Sequence, residues 1–97
     1  MSKVNLTIVA TVNPSGKKEL AFYKEEVAKL YKKVNAKSVN KYKISKSLIG
    51  DYQPTLVSIM EFSDIASLNK VFESDEYKNL LPYRSKAFSK LEAFISE

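Results

Sequence analysis

The stretch Thr-Leu-Val-Ser-Ile-Met-Glu-Phe at residues 55–62 constrains the fold of this chain more than any other. It is short, rich in β-branched residues and almost continuously apolar, which favours a strand over a helix. A strand that reads as a continuous apolar run is typically covered on both faces. We therefore expect a sheet that needs a cover on each side.

Three further stretches are predicted to be strands. Residues 3–12 alternate apolar and polar side chains with a period of two and are rich in β-branched residues. Residues 37–49 alternate more weakly and contain lysines, as in an edge strand that resists aggregation. Residues 90–96 close the chain with one apolar face. The Gly-Asp-Tyr-Gln-Pro segment at residues 50–54 is predicted to be the turn before the 55–62 strand.

Two helical regions are predicted between these strands. Apolar residues recur at steps of three and four across residues 15–34, and Asn35 is suited to end that helix. A second helical region begins at the Ser63-Asp64 cap and covers residues 65–72. Ser74 restarts a helix, in which Pro82 either ends the segment or begins the next one.

The resulting order is β-α-β-β-α-β, in one domain over residues 1–97. A four-stranded antiparallel sheet with the helices on one face is the ferredoxin-like α+β arrangement. Val9, Val57 and Ile59 would then form an apolar patch on the other face. The most economical cover for that patch is a second copy, so we predict a homodimer through the open sheet face.

The chain contains no cysteine and no histidine, which excludes several kinds of site. Disulfides, thiolate ligands, haem-histidine ligation and Ser-His-Asp catalysis cannot arise within it. No acidic cluster has the spacing of a Mg²⁺ or Ca²⁺ site, so no metal and no cofactor are predicted. No apolar run approaches the roughly 18 residues of a membrane span, and the N-terminal Met-Ser-Lys-Val-Asn lacks a hydrophobic signal core. These absences favour a cytoplasmic protein of bacterial type without a membrane partner.

Positive charge is concentrated in the first half of the chain. Residues 1–50 carry eleven Lys and three Glu, a net +8, whereas residues 51–97 carry four Lys, one Arg and eight Asp or Glu, a net −3. A basic half can attract nucleic acid or an anionic surface. No arginine–aromatic interleaving or recognition helix accompanies the charge. Solvated lysines are therefore the favoured interpretation, and a nucleic-acid-associated protein is the weaker one.

The segment Ser-Asp-Glu-Tyr-Lys-Asn-Leu-Leu-Pro-Tyr-Arg at residues 74–84 ends in the one arginine of a chain with fifteen lysines. A planar guanidinium holds a carboxylate or phosphate through two parallel hydrogen bonds, which lysine cannot do. Arg84 is therefore the predicted anion anchor. Tyr77 and Tyr83 flank it and are predicted ligand-binding walls of a pocket.

Glu61 is the predicted partner of Arg84. It lies in an otherwise apolar strand at the same parity as Val57 and Ile59, and it would face the interior if they do. A carboxylate in such a place must be paired with a cation or protonated. Two hypotheses follow. Arg84 and Glu61 are the catalytic residues of a pocket that binds or transforms a small anionic or aromatic organic acid, or they form a structural ion pair in an interaction module without a ligand.

Residues 57–64, 67–72 and 74–84 together carry a resemblance to a known family. The Ser-Asp-Glu-Tyr…Pro-Tyr-Arg pattern is similar to the Ser-Pro-Glu-Tyr…Pro-x-Arg signature of the small bacterial proteins of domain-of-unknown-function family thirteen-thirty, within the dimeric α+β barrel superfamily. Asp75 stands where the family usually has proline, and residues 34–39 lack the family's glycines.

The resemblance implies a ferredoxin-like subunit, a homodimer and a cavity between the sheet and the helices. Relatives in the superfamily include cofactor-free monooxygenases, haem-degrading enzymes, muconolactone isomerases and stress-response proteins. Histidine-ligated haem does not apply to a chain without histidine. A shared fold does not imply a shared reaction, so whether the chain is an enzyme stays open.

Overall fold

The computed structural model describes residues 3–97; the first two residues of the predicted 1–97 domain, at the start of the N-terminal segment, lie outside the described residues. Its four strands form one antiparallel sheet in the order β2-β3-β1-β4. The strands are β1 (Val4–Val12), β2 (Lys37–Lys43), β3 (Leu56–Phe62) and β4 (Phe88–Ser96). The helices are α1 (Lys17–Lys33), α2 (Ile65–Phe72), α3 (Asp75–Lys78) and α4 (Leu81–Ala87), and a 3-10 turn over Pro14–Gly16 precedes α1.

Burial shows which face of the sheet the helices cover. Val4 and Leu6 on β1 lie opposite Phe62 and Met60 on β3, and all four side chains are buried. They form one apolar core with inward-facing residues of α1, α2 and α3. Because the helices cover this one face, the predicted ferredoxin-like α+β fold is confirmed.

The predicted end of the first helix is also confirmed. Asn35 has the left-handed φ of 58°. Its N–H donates to the carbonyl of Lys32 at 3.1 Å, and the N–H of Ala36 donates to the carbonyl of Tyr31 at 3.0 Å. This pair of bonds is the Schellman arrangement, which satisfies carbonyls that a helix end leaves free.

Two strand boundaries differ from the prediction. β2 ends at Lys43 rather than at residue 49, because the chain turns on itself beyond it. The Ser47 hydroxyl bonds to the carbonyls of Ile49 at 3.1 Å and Gly50 at 3.0 Å, and Gly50 has a φ of 96°. At the other end, β4 begins at Phe88 rather than at residue 90, because a bulge lets Phe88 pair with Val12.

Pro82 begins a helix rather than ending one. It lies in the first turn of α4, where its missing N–H leaves no hydrogen bond unmade. α4 then continues without a loop into β4. The fold thereby places Arg84 on a short helix against the last strand.

The opposite face of the sheet carries no helix. Its central row is Tyr42, Val57, Val9 and Glu92, one residue from each strand. Val9 and Val57 are half-buried, whereas Tyr42 is 49% exposed. The predicted apolar patch is therefore present on the open face. None of the helices within residues 3–97 has the length and apolar character that a membrane span requires.

Candidate functional site

A cavity of about 480 Å³ lies between α1, α4 and the helix-facing side of the sheet. This volume is within the range of small-molecule pockets. Apolar side chains of the strands form its floor, including Leu6, Ile8, Ala10, Leu56 and Leu91. Helix α1 contributes Tyr23 and Lys24, and α4 contributes Arg84. The cavity that the resemblance implies is thus present in this chain.

Three polar side chains meet at the wall of the cavity. The Tyr23 and Tyr77 hydroxyls are 2.9 Å apart, and Arg84 Nη1 donates to Tyr77 Oη at 3.0 Å. The Ser74 hydroxyl accepts the N–H of Tyr77 at 3.1 Å and so caps α3, the helix that carries this tyrosine. The ring of Tyr77 packs edge-on against Phe72, with centroids 4.9 Å apart. Tyr77 is therefore held in place, and Arg84 is positioned by it.

Two phenols of this cavity, those of Tyr23 and Tyr31, remain protonated at neutral pH. Burial raises the pKa of Tyr23 well above its usual range, and the hydrogen bond with Tyr77 raises it further. Burial also raises the pKa of Tyr31, which lines the cavity from α1. Protonated phenols donate hydrogen bonds and do not act as bases.

Three cationic side chains face the cavity within residues 3–97: Lys24, Lys41 and Arg84. Lys90 also borders the cavity, but it pairs with Thr11 and shares the parity of Glu92, so its side chain lies on the open face. The Lys90 ammonium lies 4.2 Å from the ring centroid of Tyr52 and 3.9 Å from Glu92, so it already has partners. The charge of Lys24, followed by desolvation, lowers the pKa of Lys41. The cavity is therefore an electropositive site.

The predicted Glu61–Arg84 ion pair is wrong. Glu61 shares its parity with Val57 and Ile59 as expected, but that parity faces the open side of the sheet, opposite Asn5 of β1. Its carboxylate lies 3.4 Å from the ammonium of Lys3. Arg84 lies on the helix side, so the sheet separates the two groups. A catalytic role for Glu61 alongside Arg84 has no geometric support.

The structure also places Tyr83 outside the cavity lining, contrary to the prediction. It is 39% exposed and packs against Phe22, with ring centroids 4.5 Å apart. Of the two predicted tyrosines, Tyr77 lines the cavity and Tyr83 does not.

The prediction missed three residues that line the cavity. Nothing in the pattern singles out Tyr23 within the apolar stripe of residues 15–34, and the favoured interpretation of Lys24 and Lys41 is that of solvated lysines. Lys41 sits on the helix-facing parity of an edge strand, opposite Ser58. A lysine at an inward position of a strand is a signal that could have identified it. Within the described part of the chain, no group of acidic residues could hold a metal ion.

Comparison with known families identifies the chain. The model for the domain of unknown function DUF1330 matches residues 7–96. The chain belongs to the DUF1330 family. The resemblance carried by residues 57–84 is thereby confirmed. Among curated proteins, none matches the chain.

Solved structures repeat the DUF1330 fold at low sequence identity. A protein of unknown function from Rhodopseudomonas palustris has a TM-score of 0.87 at 16% identity, over 97% of this chain and 80% of that one. A dimeric ferredoxin-like protein from Bacteroides fragilis has a TM-score of 0.62 at 9% identity, over 98% and 95%. A mutant of SnoaB, a cofactor-independent oxygenase from Streptomyces nogalater, has a TM-score of 0.68 at 10% identity, over 100% and 93%. At these identities the likeness shows the fold alone.

Proposed function

We propose that this DUF1330 protein binds a small organic anion in the cavity, with the Arg84 guanidinium as anchor. The proposal rests on the hydrogen-bond partner of that guanidinium. It lines the cavity, and its side-chain hydrogen bond goes to the hydroxyl of Tyr77 at 3.0 Å and not to a carboxylate. A phenol uses one N–H donor and leaves the positive charge in place. The remaining donors suit a carboxylate or a phosphate.

The absence of a protein counter-ion supports a ligand over a purely structural role. Among the described residues, the carboxylates within ion-pair distance of a cation pair with lysines and not with Arg84. A partly buried charge without a partner is costly unless a ligand or water satisfies it. An arginine kept for structure would be expected to have a carboxylate beside it, which was the role predicted for Glu61.

The rest of the lining suits an apolar body attached to the anionic group. Ile8, Ala10 and Leu91 form an aliphatic floor, and Tyr77 and Phe88 add aromatic rings. Removing apolar surface from water contributes roughly 25 cal/mol per Å². The lining contains hydrogen-bond donors and cations but, within residues 3–97, no carboxylate to accept a proton. Binding is therefore the function that the geometry supports best.

A thermal-shift screen of small carboxylates and phosphates tests the proposal. A ligand at a hundred times its Kd adds about 2.7 kcal/mol to the free energy of unfolding. For a chain of this size that corresponds to a rise in Tm of roughly 10 °C. We expect an aromatic or branched carboxylate to give such a rise, and Arg84→Gln to reduce the affinity at least tenfold.

The matched control is Lys86→Gln, which removes one positive charge from the same helix at an exposed position outside the cavity lining. This variant should keep the wild-type shift. Arg84→Lys separates charge from geometry, because it keeps the charge and loses the planar fork. Equal shifts in wild type and Arg84→Gln would contradict the proposal, as would a screen without any binder.

We also propose that a second copy of the chain covers the open sheet face. The face presents half-buried Val9, Val57 and Ile59, flanked by Tyr42 and Phe94, which is 54% exposed. Contiguous exposed apolar surface of this kind marks an interaction site. The Bacteroides fragilis protein of the same fold is described as dimeric, which supports a homodimer here.

A further inference from the structure

The available positive charges of the cavity fall into two groups at opposite edges of the sheet. Arg84 lies on α4, which continues directly into the edge strand β4. Lys24 lies on α1, and Lys41 lies on β2, the other edge strand. Three strand spacings separate β2 from β4, or about 14 Å. The cavity therefore has two positive poles on different elements, Arg84 on α4 and the lysines on α1 and β2.

Lys24 and Lys41 form the second pole as a pair. Both line the cavity, one from its helical wall and one from its floor. The two ammonium groups are close enough for Lys24 to be the largest cause of the lowered pKa of Lys41. Lys3, Lys29 and Lys33 each have a carboxylate within 4.0 Å, but no described carboxylate lies within that distance of Lys24 or Lys41.

A largely apolar floor runs from the lysine pair across one row of the sheet. Lys41 pairs with Ser58, Ser58 with Ile8, and Ile8 with Ala93 on β4. All four residues line the cavity. The path is thus a short floor with one hydroxyl and two apolar side chains. It begins at the lysine pair and reaches β4 at Ala93, five residues beyond the start of that strand at Phe88.

From this arrangement we infer that the ligand is a dianion with two carboxylate groups joined by an apolar segment. Arg84 and Tyr77 hold one carboxylate, and Lys24 and Lys41 hold the other. Two like charges in proximity repel, and an anion between them replaces that repulsion with two attractions. A monoanion bound at Arg84 leaves the repulsion between Lys24 and Lys41 in place. This inference rests on the proposed function and adds the class of ligand.

Isothermal titration calorimetry with two matched series tests the inference. One series consists of straight-chain α,ω-dicarboxylates, and the other of monocarboxylates with the same numbers of carbon atoms, all at one ionic strength because salt screens charge. In wild type, the best diacid should bind at least tenfold more tightly than the monoacid of equal length. Lys24→Gln/Lys41→Gln should abolish that preference and leave monoacid binding intact.

Lys32→Gln/Lys37→Gln is the matched control. It also removes one lysine from α1 and one from β2. All four lysines are exposed, but Lys32 and Lys37 lie outside the cavity lining. It should keep the tenfold preference. Equal affinity for diacid and monoacid, or a preference that survives in Lys24→Gln/Lys41→Gln, would overturn the inference.

These outcomes separate the inference from the proposed function. If monoacids bind and Arg84→Gln abolishes their binding, the proposed function stands even when the diacid has no advantage. If neither series binds to wild type at millimolar concentration, or if Arg84→Gln leaves both affinities unchanged, the proposed function is wrong and the inference falls with it.

Discussion

Single residues determine how the cavity wall is held. Tyr23 and Tyr77 are both nearly buried, and a buried hydroxyl without a partner costs about 1–3 kcal/mol. Their mutual bond at 2.9 Å satisfies both groups, and it leaves Tyr77 Oη able to accept from Arg84. The guanidinium is thus oriented by a neutral group. A guanidinium that anchors an anion must be held in one orientation and must keep its positive charge free, because a carboxylate partner would compete with the ligand.

Asp64 offers a pH-dependent test at the same scale. Its carboxylate caps α2 by accepting the N–H of Ser67 at 2.8 Å, and this bond, aided by the Ser67 hydroxyl, lowers the pKa of Asp64. Because the folded pKa is depressed, the stabilisation is complete above the usual value of about 3.9. It is lost as the pH falls through the folded pKa. Asp64→Ala should therefore melt below wild type at pH 7, and the difference in Tm should narrow under acid.

The control for Asp64 is Asp51→Ala, which removes an acid from the exposed loop between β2 and β3. Thermal melts of the three proteins between pH 7 and pH 3 provide the measurement. If the Tm difference between wild type and Asp64→Ala stays constant over this range, the cap does not depend on the charged carboxylate.

At the scale of elements, the turn before α1 and the end of α4 approach each other closely. The backbone N–H of Asn13 donates to the carbonyl of Ala87 at 2.9 Å, and its side-chain amide donates to the carbonyl of Lys86 at 3.0 Å. Gly16 lies buried beneath this contact. A Cβ at residue 16 would overlap the Lys86 carbonyl oxygen and lie 2.8 Å from its carbonyl carbon. Both atoms belong to the backbone and cannot rotate away.

Gly16→Ala should therefore destabilise the protein by about 1–3 kcal/mol, the usual cost of overpacking. Chemical denaturation measures this free energy of unfolding. The neighbouring Ser15→Ala is the control, because Ser15 is exposed and the same backbone turn is retained. A Gly16→Ala variant as stable as Ser15→Ala would mean that α4 can move away from α1. In that case the position of Arg84 would not depend on this contact.

At the scale of the whole molecule, the proposed homodimer depends on the open sheet face. Specific interfaces bury on the order of 800 Å² per partner, an area for which the four-stranded face is the natural candidate. We expect sedimentation equilibrium to give twice the chain mass of 11.0 kDa. Ile59→Lys places a charge within the apolar patch and should yield the monomer.

Ile65→Lys is the control for the dimer, because Ile65 is 43% exposed on α2, on the helix side of the sheet. It should leave the mass unchanged. A monomeric wild type would contradict the proposed dimer, and so would a dimer that Ile59→Lys leaves intact and Ile65→Lys disrupts.

Much of the fold could be predicted because its signals are local. Alternation of apolar side chains indicates β1 and, more weakly, β2, a continuous apolar run indicates β3, and one apolar face indicates β4. Steps of three and four indicate the helices. Asn35 and Asp64 marked helix ends through the backbone groups that they satisfy. The end of β2 was predicted less well, because the Ser47 turn and the unpaired Leu48 and Ile49 depend on which strand is available as a partner.

The site was predicted only in part, and the reason is physical. The chain alone determined its family, the order of its elements, Arg84 as a singular cation, and the shared parity of Glu61, Val57 and Ile59. Parity tells which residues share a face of a strand, but not which face the helices will cover. Packing of the helices decided that Glu61 faces away from Arg84 and that Lys41 faces the cavity. Only the tertiary structure therefore brings Lys24, Lys41 and Arg84 together as the cationic lining of one cavity.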